Sequence, residues 1–123
     1  MVLFISLLFV QCNSKDKATD KMLAETVKMM NERCPMNVDA LTRLDSCASE
    51  KGKKIKYYYT ILNDSLFDVE QFKEIGVPNI KETLKTNPQM EIFRQNDVSI
   101  TYQYSSLNGK VLYSLELAPS DYK

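Results

Sequence analysis

The sequence predicts an α+β fold of two layers: an antiparallel sheet of about four strands with helices packed on one face, in the order helix, hairpin, broken helix, hairpin. Three observations carry it. Leu23, Val27, Met30 and Cys34 recur at intervals of four, three and four, which is one face of a helix. Two stretches alternate apolar and polar residues about a glycine-bearing turn. Between them lies a long segment of helical periodicity interrupted by Gly76 and Pro78.

The first helix is expected to be capped at Thr19 or Asp20 and stopped by Pro35, with Met22, Thr26 and Met29 widening its apolar stripe. The first hairpin is read from "VDALTRLDSCASEKGKKIKYYYTIL" about Gly52. In its second strand Ile55, Tyr57, Tyr59 and Ile61 face one way, and Lys56, Tyr58, Thr60 and Leu62 the other. In the broken helix, Ser65 and Asp68 have the spacing of a capping box, and Asn87 with Pro88 can open a further turn. Phe72, Ile75, Ile80 and Leu84 are its expected inward face. In the last hairpin, Asn108 and Gly109 predict a two-residue type I′ turn, both of whose positions need positive φ. The pairs that follow are Ser106 with Val111, Tyr104 with Tyr113, Tyr102 with Leu115 and Ile100 with Leu117. Ser99, Thr101, Gln103, Ser105, Ser114 and Glu116 then form a wet face, which no expected helix covers.

Composition bounds the function. The 123 residues suit one domain, and 44% apolar with 26% charged residues is ordinary globular content. Sixteen basic residues balance sixteen acidic ones, so no overall field favours nucleic acid. The absence of histidine removes the commonest general base and metal ligand, which argues against an enzyme. No glycine-rich phosphate loop, GxSxG or HExxH occurs, and no cofactor is expected.

From Val2 to Val10 the chain is uncharged and nearly all apolar; Lys15, Asp16, Lys17, Asp20 and Lys21 then crowd together. Nine helical residues rise only about 14 Å against a hydrocarbon core of roughly 30 Å, so the run is short for a spanning helix and fits a secretory leader. A buried core strand is the alternative. Ending in "LFVQC", the run resembles a bacterial lipoprotein signal, in which cleavage before the cysteine leaves the sulfur of Cys12 to carry lipid. That resemblance implies a signal peptide over 1–11, a polar tether over 12–18 and a single globular domain over 19–123. It also implies a membrane partner through the lipid anchor, with the protein in the cell envelope, at the outer membrane and facing the periplasm. With "CPMNVDALTRLDS", "YYYTILND" and "NGKVLYSLELAP", the chain looks like the short lipoproteins of Bacteroidetes-type bacteria. The element order is similar to that of the carboxy-terminal domain of TolA. Neither likeness brings a catalytic residue.

Export makes Cys34 and Cys47 the one possible disulfide pair. An extended intervening segment would hold their Cα atoms roughly 40 Å apart, so pairing needs the chain to turn back, and free thiols are the expected state. "KGKKIKYYY" sets Lys51, Lys53, Lys54 and Lys56 beside three tyrosines, a pattern that can bind nucleic acid or lipid headgroups. A lysine-rich turn that discourages edge pairing explains it better, leaving Lys56 and Tyr58 as candidate binding residues on the polar face. Asp64, Asp68 and Glu70 could attract Ca²⁺, but lack the Gly-bearing bend of a calcium loop and suit helix capping. No metal site is expected. The leading functional expectation is a non-catalytic envelope module that binds a protein or cell-wall component by its exposed sheet face or edge. The alternatives are a small envelope hydrolase using carboxylates or a Lys/Ser pair, a protective inhibitor of a toxin, and an intracellular protein with an ordinary amino-terminal strand.

Overall fold

A computed structural model describes the backbone from residue 2 to 123 and the side chains from residue 14 onward. The lipidation site read at Cys12 and most of the expected leader and tether lie outside the described side chains. The chain is α+β, as expected, but the sheet is mixed and has five strands in the order β1-β2-β3-β4-β5. These are β1 (Met36–Asn37), β2 (Thr42–Glu50), β3 (Lys54–Ile61), β4 (Ser99–Ser106) and β5 (Val111–Leu117). The helices are α1 (Val2–Arg33), α2 (Val69–Gln71), α3 (Val77–Thr86), α4 (Glu91–Gln95) and α5 (Pro119–Tyr122).

The expectation of a purely antiparallel sheet is corrected at its centre, where β3 and β4 run parallel. Each hairpin is antiparallel as read. What joins them is the helical segment between, a crossover that returns the chain to the end of the sheet it left. Periodicity cannot report the sense of pairing between strands that far apart in sequence. The fifth strand was missed because β1 has only two residues, paired Met36 with Leu44 and Asn37 with Arg43.

Helix α1 stops at Arg33, just before Pro35, as expected, but it does not start at Thr19 or Asp20. Both lie inside it and do other work. Thr19 is buried, and its hydroxyl donates to the Lys15 carbonyl one turn back (3.3 Å). The Asp20 carboxylate accepts from the backbone N–H groups of Gly52 (3.3 Å) and Lys53 (2.8 Å), pinning the β2–β3 turn to the helix. That turn has Gly52 at φ 91° and Lys53 at φ 61°, so two donors project where no strand partner can meet them. Leu23 is fully buried, and Met22, Val27, Met30 and Cys34 pack against the core. Met29, expected in the stripe, is 62% exposed.

The interruption at Gly76 and Pro78 is not a break. The chain runs from α2 through one wide turn, Phe72–Gly76, straight into α3, with Pro78 in the first turn of α3 where its missing N–H costs nothing. The extra residue rotates Ile75 out to 56% exposure, and Val77 takes the inward place beside Ile80 and buried Leu84. A Cβ on Gly76 would stand 2.6 Å from the Phe72 ring. The expected Ser65–Asp68 box is replaced by two separate caps. Asn63 accepts from Ser65 N–H (3.2 Å), and Asp68 accepts from Gln71 N–H (3.2 Å). Asn87 caps the next turn through Gln89 N–H (2.9 Å), as read.

In the last hairpin the pairs Tyr104–Tyr113, Tyr102–Leu115 and Ile100–Leu117 are as expected, but Val111 faces Ser105 and not Ser106. The turn is not type I′. Gly109 has φ 87° while Asn108 does not have positive φ, and Gly109 N–H bonds the Ser106 carbonyl (2.9 Å). This is a turn over Leu107 and Asn108 closed by a left-handed glycine. A register shift beyond Tyr104 then restores the expected alignment.

One face of the sheet holds the core: Leu44, Cys47, Ile55, Tyr57, Ile100, Leu115 and Leu117 lie under Leu23, Leu84 and Phe93. Tyr122 on α5, fully buried, donates its hydroxyl to the Val98 carbonyl (2.5 Å), tying the carboxy terminus beneath the crossover. Arg94 grips the other end, donating to the carbonyls of Leu84 (2.6 Å) and Asn87 (2.9 Å).

Candidate functional site

Alternation sends every second residue of the sheet away from the helices. Across the strands this produces registered rows: Ala48, Lys56, Thr101 and Glu116 in one, and Ser46, Tyr58, Gln103 and Ser114 in the next. None of these belongs to the hydrophobic core cluster. Tyr58 and Lys56, both half-buried, meet here as expected, with the Lys56 ammonium 5.1 Å from the centre of the Tyr58 ring. The pair is a cation–π contact, which holds the lysine stem flat along the strand.

At one end of this face a hollow of about 440 Å³ opens between Glu50, Lys54, Lys56, Thr101, Glu116 and Asp121. Asp121 is occupied in accepting from Ala118 N–H (2.7 Å). Among the described residues, Glu50, Lys54 and Glu116 enter no ion pair. The hollow therefore has cationic side chains on β3 and anionic ones on β2 and β5, about a row of hydroxyls. Such a surface offers both signs of charge and several donors to a polar partner, with Tyr58 as its aromatic neighbour. At the far end of the face Thr60 is buried and its hydroxyl bonds the Asp45 carboxylate, which Arg43 also holds (2.6 Å).

Alternation in the sequence brought Lys56, Tyr58, Thr101 and Glu116 to one side. It did not bring Glu50 or Asp121 to the hollow, although Glu50 facing Lys54 across the Gly52 turn could have been counted out from that turn. The remaining lysines of the cluster part company: Lys53 pairs with Asp16 on α1 (3.6 Å). Asp64, Asp68 and Glu70 do not converge. Asp68 caps α2 and Glu70 pairs with Lys73 (3.5 Å). Among the described residues there is no group of three or more candidate metal ligands.

The helix-side face carries a ladder of tyrosines. Tyr57 stacks on Tyr102 (5.4 Å between ring centres) and Tyr59 on Tyr104 (5.0 Å), with Phe72 edge-on to Tyr104 (5.0 Å). Burial raises the pKa of all four tyrosines, that of Tyr59 to about 12.

Two layers, one polar sheet face and no assembled catalytic constellation among the described residues define a small α+β domain with an open sheet surface. The chain belongs to the family described as Domain of unknown function (DUF8479), whose family model matches residues 17–113. No curated protein sequence matches it. Among solved structures it is similar to a candidate secreted protein of Pseudomonas aeruginosa (TM-score 0.75, 11% identity, 89% of this chain and 96% of that one). It is also similar to EpsS, the pilotin of the Vibrio vulnificus type 2 secretion system (TM-score 0.73, 7% identity, 90% of this chain and 97% of that one). A third likeness is to AspS, the type II secretion system pilotin of Vibrio cholerae (TM-score 0.70, 8% identity, 89% and 97%). At these identities the likeness shows a shared fold. Among the described residues no helix is long and apolar enough to cross a membrane.

Proposed function

We propose that this protein is a non-catalytic interaction module of the cell envelope. It is tethered by lipid on Cys12, at the outer membrane on its periplasmic side, and binds a protein or cell-wall component with the polar face around Lys56 and Tyr58. The observation that carries the binding role is the uncovered face itself. A small domain has little surface to spare, yet it leaves one side of its sheet open, where among the described residues Glu50, Lys54 and Glu116 enter no ion pair. The envelope location is supported by the apolar run ending at Cys12 and by a fold shared with two proteins named as pilotins of secretion systems.

Capture from solubilised envelope by the domain lacking Cys12, compared with its Lys56→Ala, Tyr58→Ala double variant, tests the face. The wild type should retain a partner that the variant loses by about tenfold or more, the scale of one to two central contacts. Equal capture by the two removes the proposed face. Labelling with a fatty acid, which Cys12→Ala should abolish, tests the anchor separately.

A hydrolase reading would draw here on the carboxylates of Glu50 and Glu116 or on Lys54 and Ser99, which are register partners across β3 and β4. Among the described residues no hydrogen bond joins the Lys54 and Ser99 side chains and none orients either of them as a catalytic third group would. Ester hydrolysis abolished by Ser99→Ala would favour that reading over binding.

A further inference from the structure

We infer that Cys34 and Cys47 are an intramolecular disulfide pair, open in this structure and closed when the protein meets a disulfide oxidant. Both thiols are free here. The turn-back that pairing requires is present. Strand β1 pairs with β2 through Met36–Leu44 and Asn37–Arg43, so the segment between the cysteines is itself a reversal. Cys34 stands between the end of α1 and the start of β1, two residues ahead of the Met36–Leu44 pair, and Cys47 lies three residues beyond Leu44 on β2.

One residue fastens the two cysteines to each other's neighbourhood. The side chain of Asn31 accepts from Cys47 N–H (2.7 Å) and donates to the Cys47 carbonyl (3.0 Å), while its own carbonyl accepts from Cys34 N–H (3.2 Å). The β2 bulge between Leu44 and Ser46 turns both Leu44 and Cys47 inward, and Cys34 packs against the cluster that contains them. Burial raises the Cys47 thiol to about 11, and the adjacent Cys34 adds to the rise. Tyr59, the register partner of Leu44, feels both sulfurs.

The accessibility of the two groups sets the order of events. Cys34 is half-buried and Cys47 buried. The Cys34 thiolate attacks one sulfur of an external disulfide and releases the other half of the oxidant as a thiolate. The Cys47 thiolate then attacks the Cys34 sulfur and expels the second half. Two thiol protons are lost, two electrons pass to the oxidant, and the oxidant leaves as two thiols. The product staples the end of α1 to β2 across the short edge strand. This rests on the envelope reading only for where the oxidant is met.

The test uses the full chain with Cys12→Ser, reduced, equilibrated in a glutathione redox buffer, alkylated and weighed. The expected product has lost two hydrogens, takes up no alkylating reagent and melts on the order of 10 °C above the reduced form. Ring closure should quicken as pH rises from 7 to 9, because more Cys47 is then thiolate. Cys47→Ser should stop at a glutathione adduct on Cys34, and Cys34→Ser should leave folded protein with an unreactive thiol. Accumulation of the glutathione adduct or of cross-linked dimers by the folded chain with both cysteines overturns the pairing. Fatty-acid labelling reports on Cys12 alone, so failure of the anchor and failure of the pair are told apart.

Discussion

Asp20 shows how one carboxylate in mid-helix can organise a turn in another element. It accepts two backbone N–H groups that the left-handed turn at Gly52 and Lys53 leaves without strand partners. Asp20→Ala should cost about 1.5–3 kcal/mol, the range for hydrogen bonds to a charged group. Urea unfolding would show it as a lower midpoint at unchanged slope. Gly76 poses the opposite problem, since what matters there is the missing side chain. Its backbone sits in the helical region, so alanine would ordinarily help. Here the added Cβ meets the Phe72 ring at 2.6 Å, and that ring is braced against Tyr104 and Tyr113 (5.0 and 5.7 Å). Overpacking of this kind costs about 1–3 kcal/mol. Gly76→Ala should therefore lower the melting temperature, and Phe72→Leu in the same chain should recover part of the loss.

Among elements, the last hairpin depends on Gly109 alone for its left-handed corner, with φ 87° and open space around it. Gly109→Ala should destabilise by roughly 1 kcal/mol and Gly109→Asn by less, because asparagine tolerates that region. Thermal unfolding of the two variants side by side checks the order. The same hairpin shows what a sequence can reveal. Alternation correctly paired Tyr102 with Leu115 and Ile100 with Leu117, because burial of one face dictates register. It missed the turn type, since two different turns offset by one bulge give the same register beyond it. Likewise Leu23, Val27 and Met30 revealed the helix, while its start was masked by Thr19 and Asp20, which look like caps but lie inside it: Thr19 bonds one turn back and Asp20 holds the β2–β3 turn. The polar face was legible at Lys56, Tyr58 and Glu116, but the hollow required Glu50, Ser99 and Glu116 to be set at one end, which the parallel β3–β4 pairing decides.

For the whole molecule, the tyrosine ladder fixes how the fold answers alkali. A buried phenol ionises later in the folded chain than in the unfolded one, near pH 12 for Tyr59 against an ordinary value of 10. Between those values the unfolded state has lost protons that the folded state still holds, so stability falls as pH rises. The contribution is complete below pH 10 and declines above it. Denaturant midpoints measured from pH 8 to 11.5 should be flat and then drop, with the 295 nm absorbance of tyrosinate rising together with unfolding. A smooth tyrosinate rise centred on pH 10, with the native circular dichroism intact, contradicts this burial.

The parallel join between β3 and β4 also decides how the chain must assemble. Each hairpin can zip from its own turn, but the middle of the sheet unites residues separated by the entire crossover, from Ile61 to Ser99. That loop must be closed before the central ladder can reward it. A nascent chain halted before Ser99 holds β1 to β3 and α1 to α4, but lacks the two strands that complete the sheet. The five-stranded sheet can therefore be completed only once the chain from Ser99 onward has been made.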